Sequence, residues 1–445
     1  MEFLIKATQL IMSLSILVIL HELGHFIPAK LFKTRVEKFY LFFDPWFSLI
    51  KKKVGETEYG VGWLPLGGYV KISGMIDESM DKEQMKKPAE KWEFRAKPSW
   101  QRLIIMLGGV TVNLMLGIFI YSMTLYVYGD KYLPNKNLND GVWCVSEMAN
   151  DLGFVDGDKF ISADGQKIER FTDILEKIIL SKTITVERDG IIKNLDMPSN
   201  VIDQFLNNNN QPLFFPRIPT IVSGLKSGSN AEKSGLQKND IILAVNKKSV
   251  KYYDQLKKEL DSNKGEKITL LVSRNNKEVL LIVNVGEDGK LGFIPANLSI
   301  KQLESLGYYS LSSYDYGFLA SFPAGYKKSI KKLGSYIDQF VLILSPSSGA
   351  YKGMGGFGSI GSMFPAEWNW EVFWNLTAFL SLILAFMNIL PIPALDGGHV
   401  VFLIYEMIAG KPAPEKIMEY AQAIGMILLL SLLVFANGND ILKLF

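Results

Sequence analysis

The hydrophobic positions of the chain fall into four long apolar segments separated by stretches rich in polar and charged residues. An α-helix needs roughly 20 apolar residues to cross a bilayer, and each segment approaches or exceeds that length. The pattern therefore predicts four transmembrane helices, at about residues 4–28, 103–128, 372–399 and 417–435. Residues 1–130 and 372–445 would form the two parts of a membrane core, with irregular backbone in the third segment after Leu390.

The distribution of lysine and arginine predicts the orientation of these helices, because cytoplasmic loops near helix ends carry an excess of positive charge. Basic residues cluster after the first segment, as at Lys51 to Lys53, and again before the second segment. The loop between these segments is therefore expected in the cytoplasm. Both termini and the long region between the second and third segments would be extracytoplasmic, since long domains are translocated largely regardless of charge.

The long extracytoplasmic region contains an internal repeat. The sequence "ANDLGFVDGDKF" from Ala149 aligns without gaps with "AEKSGLQKNDII" from Ala231, and Ala, Gly and Asp recur at the same offsets. This spacing indicates a domain duplication. The pattern resembles that of bacterial PDZ domains, so two extracytoplasmic α+β domains are expected at residues 139–203 and 217–298. An amphipathic and glycine-rich connection would follow at 299–371.

The cytoplasmic loop contains a predicted β-hairpin at about residues 58–75. Strand-like runs at Val61–Leu64 and Tyr69–Ile72 are separated by proline and glycine. A hairpin edge can accept a substrate strand through main-chain hydrogen bonds. The alternative is an ordinary hairpin anchored at the membrane interface by aromatic side chains. The expected substrate-contacting positions are Gly67, Gly68, Tyr69 and Val70.

Composition narrows the chemistry of the protein. Hydrophobic residues make up 48% of the chain and the net charge is only +3, so nothing indicates nucleic-acid binding. The single cysteine, Cys144, excludes an intramolecular disulfide and a cysteine-based zinc finger. A bound metal would need His, Asp or Glu ligands, and the only histidines are His21, His25 and His399.

The sequence "HELGH" near the end of the first apolar segment predicts a metal site. Ionisable groups at membrane depth are costly and are usually functional or paired. On an α-helix, His21 and His25 lie one turn apart on the same face, with Glu22 beside them as a general base. Zinc with three protein ligands and an open position for water would suit hydrolysis. The alternative is a pair of core histidines that hydrogen-bond to neighbouring helices.

The third ligand is expected at the same depth in the third apolar segment. Asp396 follows Pro391 and Pro393, which interrupt the helix, and irregular backbone at membrane depth is typical of a segment that lines a cavity. His399 is a rival ligand, and the residues alone leave the choice open.

The motifs together resemble the site-2 protease family of intramembrane zinc metalloproteases, in particular the branch of the bacterial regulator of sigma-E protease. The resemblance is carried by "HELGH", by "LDGG" at Leu395 to Gly398 and by the PDZ-like repeats between the second and third helices. "GVGWLPLGGYVKISGM" from Gly60 and "GGVTVN" from Gly108 strengthen it. The expected fold is thus an α-helical membrane protein with a membrane-associated hairpin and two PDZ-like domains.

The resemblance also implies roles for individual residues. Zn²⁺ would be bound by His21, His25 and Asp396, with Glu22 as the base and His399 outside the ligand set. For Asn113, helix packing and direct catalysis both remain open. The wall that contacts substrate would include Asn388, Pro391 and Pro393.

The implied function is cleavage of the transmembrane segments of single-span proteins in the bacterial inner membrane, with an active site towards the cytoplasm. Anti-sigma factors and remnant signal peptides are the expected substrate classes, and the PDZ-like pair would either act as a size filter or bind a peptide or partner. The expected partners are these substrates and the lipid bilayer, while the oligomeric state is not predicted. A membrane-anchored PDZ scaffold would leave "HELGH" and "LDGG" unexplained, and a metal transporter would be expected to carry inverted repeats or more intramembrane carboxylates.

Overall fold

A computed structural model describes residues 1–65, 67–75, 88–208 and 211–442 of the chain. The chain divides into two compact units. The first unit comprises Met1–Gly129, Asp315–Leu344 and Ala350–Phe445, and the second comprises Asp130–Tyr314 and Ser345–Gly349.

The helices differ in length between the two units, with the long ones all in the first. The helices are α1 (Glu2–Leu31), α2 (Ser99–Tyr128), α3 (Glu147–Asp151), α4 (Ile174–Leu180), α5 (Val201–Asn207), α6 (Asn230–Lys233), α7 (Tyr253–Ser262), α8 (Ile300–Ser305), α9 (Phe318–Ile343), α10 (Phe357–Ser362), α11 (Trp370–Ile389), α12 (Asp396–Ala409) and α13 (Glu415–Leu442).

The strands are short and fall mainly into three four-stranded sheets. They are β1 (Val36–Leu41), β2 (Ile50–Val54), β3 (Thr57–Val61), β4 (Tyr69–Ile72), β5 (Asp130–Tyr132), β6 (Val142–Cys144), β7 (Lys159–Ala163), β8 (Gln166–Lys167), β9 (Thr183–Arg188), β10 (Ile191–Asp196), β11 (Phe214–Pro216), β12 (Val222–Leu225), β13 (Ile241–Val245), β14 (Lys248–Ser249), β15 (Lys267–Arg274), β16 (Lys277–Asn284), β17 (Phe293–Pro295) and β18 (Ser312–Tyr314).

Four helices of the first unit, α1, α2, α11 and α13, are long and apolar enough to cross a membrane. Within the described residues, the prediction of four helices that could span a membrane is therefore confirmed. The third segment differs from the continuous stretch expected at 372–399. Helix α11 ends at Ile389, and a separate helix, α12, begins at Asp396, because Pro391 and Pro393 cannot donate the backbone hydrogen bonds that would continue the first helix.

The region predicted as a connection at 299–371 contributes a long helix to the first unit. Helix α9 packs against α2, where a Cβ atom on Gly325 would lie 2.7 Å from the backbone of Ser122. It also packs against α11, through edge-to-face contacts of Tyr336 with Phe379 and Phe386. The amphipathic pattern of this segment thus belongs to a packed helix, and the first unit resumes at Asp315, far before the expected residue 372.

The loop between α1 and α2 folds differently from the predicted hairpin at 58–75. Its strands form a sheet with the order β2-β3-β1-β4, in which β1 separates the two expected partners. Strand β1 pairs in parallel with β3 and antiparallel with β4. The missed strand β1 buries Val36 and Tyr40, and this burial favours the central position over a direct pairing of β3 with β4. Strand β4 therefore lies at the edge of the sheet.

The second unit contains a duplicated fold. Its two four-stranded sheets have corresponding orders, β10-β9-β7-β8 and β16-β15-β13-β14. In each copy the repeated aspartate is fully buried and paired with an arginine, Asp158 with Arg188 at 2.7 Å and Asp240 with Arg274 at 2.7 Å. The repeated Asp is thus a structural residue in both copies.

The first copy extends beyond the expected boundary at residue 203. Strand β11 pairs with β6, as β17 pairs with β12 in the second copy, so the first copy closes at Pro216. This pairing joins residues about 70 positions apart in sequence, and no local pattern signals such a contact.

Candidate metal centre and substrate cleft

The two motif histidines lie on the buried face of α1. His21 is 9% exposed and His25 is 6% exposed, and their Nε2 atoms are 3.2 Å apart. Nδ1 of His25 lies 2.8 Å from the backbone carbonyl oxygen of Ile105 on α2. A carbonyl can only accept a hydrogen bond, so Nδ1 of His25 carries the proton and Nε2 presents its lone pair.

Asp396 reaches the histidines from the start of α12. Its Oδ2 atom lies 3.3 Å from Nε2 of His21 and 3.3 Å from Nε2 of His25. The carboxylate occupies the first residue of the helix, where the helix dipole favours negative charge. The break after α11 thus supplies the third side chain.

This arrangement fits a metal ion. The ligand atoms of His21, His25 and Asp396 all lie within 4.8 Å of one another. Oδ2 of Asp396 is buried and has no hydrogen-bond partner within the described part of the chain, although a buried polar atom is normally paired. A set of two imidazoles and one carboxylate suits zinc. His399 lines the adjacent cleft and does not belong to this three-residue cluster.

Glycines let the helices approach closely enough to form the site. A Cβ atom on Gly24 of α1 would lie 2.6 Å from the backbone carbon of Gly108 on α2. A Cβ atom on Gly109 would lie 2.6 Å from Cε1 of His21 and would overlap Nε2 of His25. Gly109 therefore leaves the space that the two imidazoles occupy.

Two asparagines contact His21. The side-chain amide of Asn113, from α2, has its nitrogen 3.0 Å from Nδ1 of His21, and Asn113 is fully buried. The amide nitrogen of Asn388, from α11, lies 3.4 Å from Nε2 of His21. When a histidine binds a metal through one ring nitrogen, a group that contacts the other ring nitrogen fixes the orientation of the ring. Asn113 thus has a local role more specific than helix packing.

A cleft of about 670 Å³ opens beside the three-residue cluster. Strand β4 with Gly68 lines this cleft, and so does the segment from Ala394 to Asp396. Glu22 lines the cleft next to His21. Pro391 and Pro393 lie in the break between α11 and α12, and the cleft itself is lined by the residues that follow them.

The edge strand approaches α1 directly beside Glu22. A Cβ atom on Gly68 would lie 2.6 Å from Cγ1 of Val18 and 3.4 Å from Cγ of Glu22. Gly67 has a φ of +151°, which favours glycine. Steric constraints thus favour glycine at both positions, whereas the sequence prediction rested on turn composition alone.

Tyr69 and Val70 also line the cleft from the edge strand. The Tyr69 hydroxyl donates a hydrogen bond of 2.9 Å to Oδ1 of Asp44. Burial, reinforced by this bond and by the negative charge of Asp44, raises the pKa of Tyr69 above its usual range. The hydroxyl therefore stays protonated and anchors the start of the strand to the preceding loop.

Sequence reasoning missed polar side chains of the cleft, among them Lys38, Asp44, Lys71 and, within a candidate membrane span, Gln422 on α13. Its Oε1 atom accepts a hydrogen bond of 3.2 Å from the backbone N–H of Ala394. Gln422 is only 7% exposed. A glutamine within an apolar transmembrane segment was the available signal, because such residues are usually paired or functional.

A protein-family model and several known proteins match most of the chain. The model of peptidase family M50 matches residues 9–432. The chain is 28% identical over 475 aligned residues to the regulator of sigma E protease of Haemophilus influenzae, covering 100% of both. It is 27% identical to protease RseP of Yersinia pestis over 475 residues, again covering 100% of both. It is 26% identical over 468 residues to a Vibrio cholerae protein that carries the name of a zinc metalloprotease, covering 98% of each.

The space beside Gly109 yields a test of the site. We expect Gly109→Ala to displace one or both imidazoles and to lower the zinc content of the purified protein markedly. Gly334→Ala on α9 is the matched control, because a Cβ atom there meets nothing within 4 Å. Zinc would be measured by elemental analysis after purification in detergent. Equal zinc content in the two variants would contradict the close packing of Gly109 against the histidines.

Proposed function

Because the chain belongs to peptidase family M50, we propose that it is an intramembrane protease that cleaves transmembrane segments of single-span membrane proteins. The chain is a membrane protein and a zinc metalloendopeptidase, as its family and its relatives indicate. The proposal that the substrates are transmembrane segments rests on the position of the three-residue cluster. His21, His25 and Asp396 line a cleft bordered by a strand edge that no other described strand pairs with.

The proposed zinc ligands are His21, His25 and Asp396. A bound zinc ion supplies Lewis acidity, which polarises a scissile carbonyl group and makes a water molecule acidic enough to attack near neutral pH. Glu22 accepts the proton of the attacking water and delivers it to the leaving amine. We propose that the side-chain amide of Asn388, whose nitrogen lies 3.4 Å from Nε2 of His21, donates a hydrogen bond to the substrate carbonyl oxygen as negative charge develops there.

The substrate must be held extended in this cleft. Every backbone amide inside a membrane helix is bonded within its own turn and is shielded from attack. Strand β4 pairs with β1 on one side only, and within the described residues no strand pairs with its other edge. The N–H group of Ser73, just after β4, donates to the carbonyl of Arg35 on the inner side, so alternate amides of β4 point to the cleft. We assign this edge as the site where substrate pairs, with contacts along Gly67, Gly68, Tyr69 and Val70.

The likeness to regulators of sigma-E protease supports the substrate class. The Haemophilus influenzae relative carries that function in its name. Anti-sigma factors and remnant signal peptides are the proposed substrates, because both present a single apolar span. The two copies of the duplicated fold are proposed to be PDZ-like domains, a role supported by the repeated sequence pattern and by their corresponding sheet orders.

The proposed orientation in the bacterial inner membrane places the active site towards the cytoplasm. The three consecutive lysines on β2, Lys51 to Lys53, are all exposed. They lie in the loop between α1 and α2, where a high positive charge favours the cytoplasmic side. Both termini and the duplicated domains would then be extracytoplasmic.

Replacing Glu22 separates catalysis from metal binding. We expect Glu22→Gln to lower the cleavage rate of a single-span model substrate at least about 100-fold, because the general base is lost. Zinc content should stay that of the parent, since Glu22 is not a proposed ligand. Glu371→Gln, at an exposed position, is the matched control. A parent that binds zinc and captures the substrate without cleaving it would instead indicate a scaffold.

Strand pairing is tested by disulfide cross-linking. Val70→Cys would be combined with Glu22→Gln, and a substrate would carry single cysteines scanned around its cleavage site. Cross-links at every second substrate residue are expected, because side chains alternate along a strand. The native Cys144 should not compete, since burial raises its thiol pKa to about 12. Cross-links every third or fourth residue would indicate a bound helix and would contradict strand pairing.

Orientation is tested by labelling intact cells with a membrane-impermeant maleimide. Lys193→Cys, at an exposed position in the first duplicated copy, should react once the outer membrane is made permeable. Lys52→Cys should react only after the inner membrane is opened. The reverse pattern would overturn both the orientation and the cytoplasmic side of the active site.

A further inference from the structure

The segment that presents Asp396 has an unfavourable backbone conformation. Ala394 has a φ of +79°, in the left-handed region that is unfavourable for a non-glycine residue. This residue lies two positions before Asp396, in the break between α11 and α12. The conformation persists only if its surroundings hold it.

The last transmembrane helix supplies part of that support. Oε1 of Gln422 accepts a hydrogen bond of 3.2 Å from the N–H group of Ala394. Gly425, less than one helical turn further along α13, allows the helix to contact the backbone carbonyl of Pro393, which any Cβ atom at that position would overlap. Both contacts hold the backbone of the break immediately before Asp396, the third proposed ligand.

The polarity of Gln422 is unusual in its surroundings. Among the four candidate membrane spans, α13 is the least buried within the first unit, so few of its side chains are buried. Gln422 is 7% exposed and faces inward. An unpaired N–H group at membrane depth would cost several kcal/mol, and the glutamine side chain removes that cost at Ala394.

We propose that Gln422 is a positioning residue for the metal centre, which holds the left-handed backbone of Ala394 so that Asp396 meets the two histidines. Without the acceptor, the segment relaxes towards an ordinary conformation and moves the carboxylate away from the point where the ligand atoms converge. The same bond ties α13 to the metal centre. This inference rests on the zinc site proposed above.

The test compares zinc affinity among full-length variants in detergent, measured by competition with a chelator and without substrate. Gln422→Met keeps the length of the side chain and removes the acceptor, so it should weaken zinc binding about 10-fold or more. Gln422→Glu keeps an acceptor at the same reach and should stay close to the parent. Ile424→Met, at a position 65% exposed on the same helix, is the control.

A second variant tests the backbone argument. Adding Ala394→Gly to Gln422→Met should recover part of the lost affinity, because glycine adopts a positive φ without steric cost. If Gln422→Met is not recovered folded from the membrane, Gln422→Asn replaces it, since that amide is too short to reach Ala394.

The outcomes distinguish this role from the proposed function. Equal zinc affinity in the parent and in Gln422→Met contradicts the positioning role and leaves the zinc site intact. Equal losses in Gln422→Met and Gln422→Glu also contradict it, because the acceptor would then be irrelevant. Absence of zinc binding in the parent would instead overturn the proposed function itself.

Discussion

The backbone contact between α1 and α2 is the constraint on which the metal centre depends. Transmembrane helices gain little from burying apolar side chains against one another and use small residues to pack closely. Gly24 and Gly108 bring the two backbones together, and at this separation His25 reaches the carbonyl of Ile105. That hydrogen bond fixes the ring and turns Nε2 towards Asp396. The close packing of α1 against α2 therefore also sets the position of the His25 ring.

The two halves of the metal centre are held in different ways. The histidines belong to a continuous helix, whose turn fixes their spacing. Asp396 begins α12 directly after a break whose backbone is held by α13 at Ala394. The cleft runs between this break and strand β4, so the segment that carries the third proposed ligand also forms a cleft wall. Loosening the break would affect metal affinity and substrate binding together.

Local patterns were predictable from the sequence, and long-range pairings were not. The length of the apolar segments predicts helices, and the i to i+4 spacing places His21 and His25 on one face, because both depend only on helical geometry. The pairing of β4 with β1 depends on contacts between distant residues, so the sequence suggested a hairpin instead. The support of Ala394 by Gln422 likewise crosses from one helix to another, and no periodicity reveals it.

X-ray absorption at the zinc edge of the purified protein would test the central claim most directly, because it reports the number and type of ligands. The account predicts about one zinc per chain, bound by two imidazoles with oxygen ligands completing the shell. A third imidazole would make His399 a ligand in place of Asp396. That result, a sulfur ligand, or zinc far below one per chain would contradict a centre built from His21, His25 and Asp396.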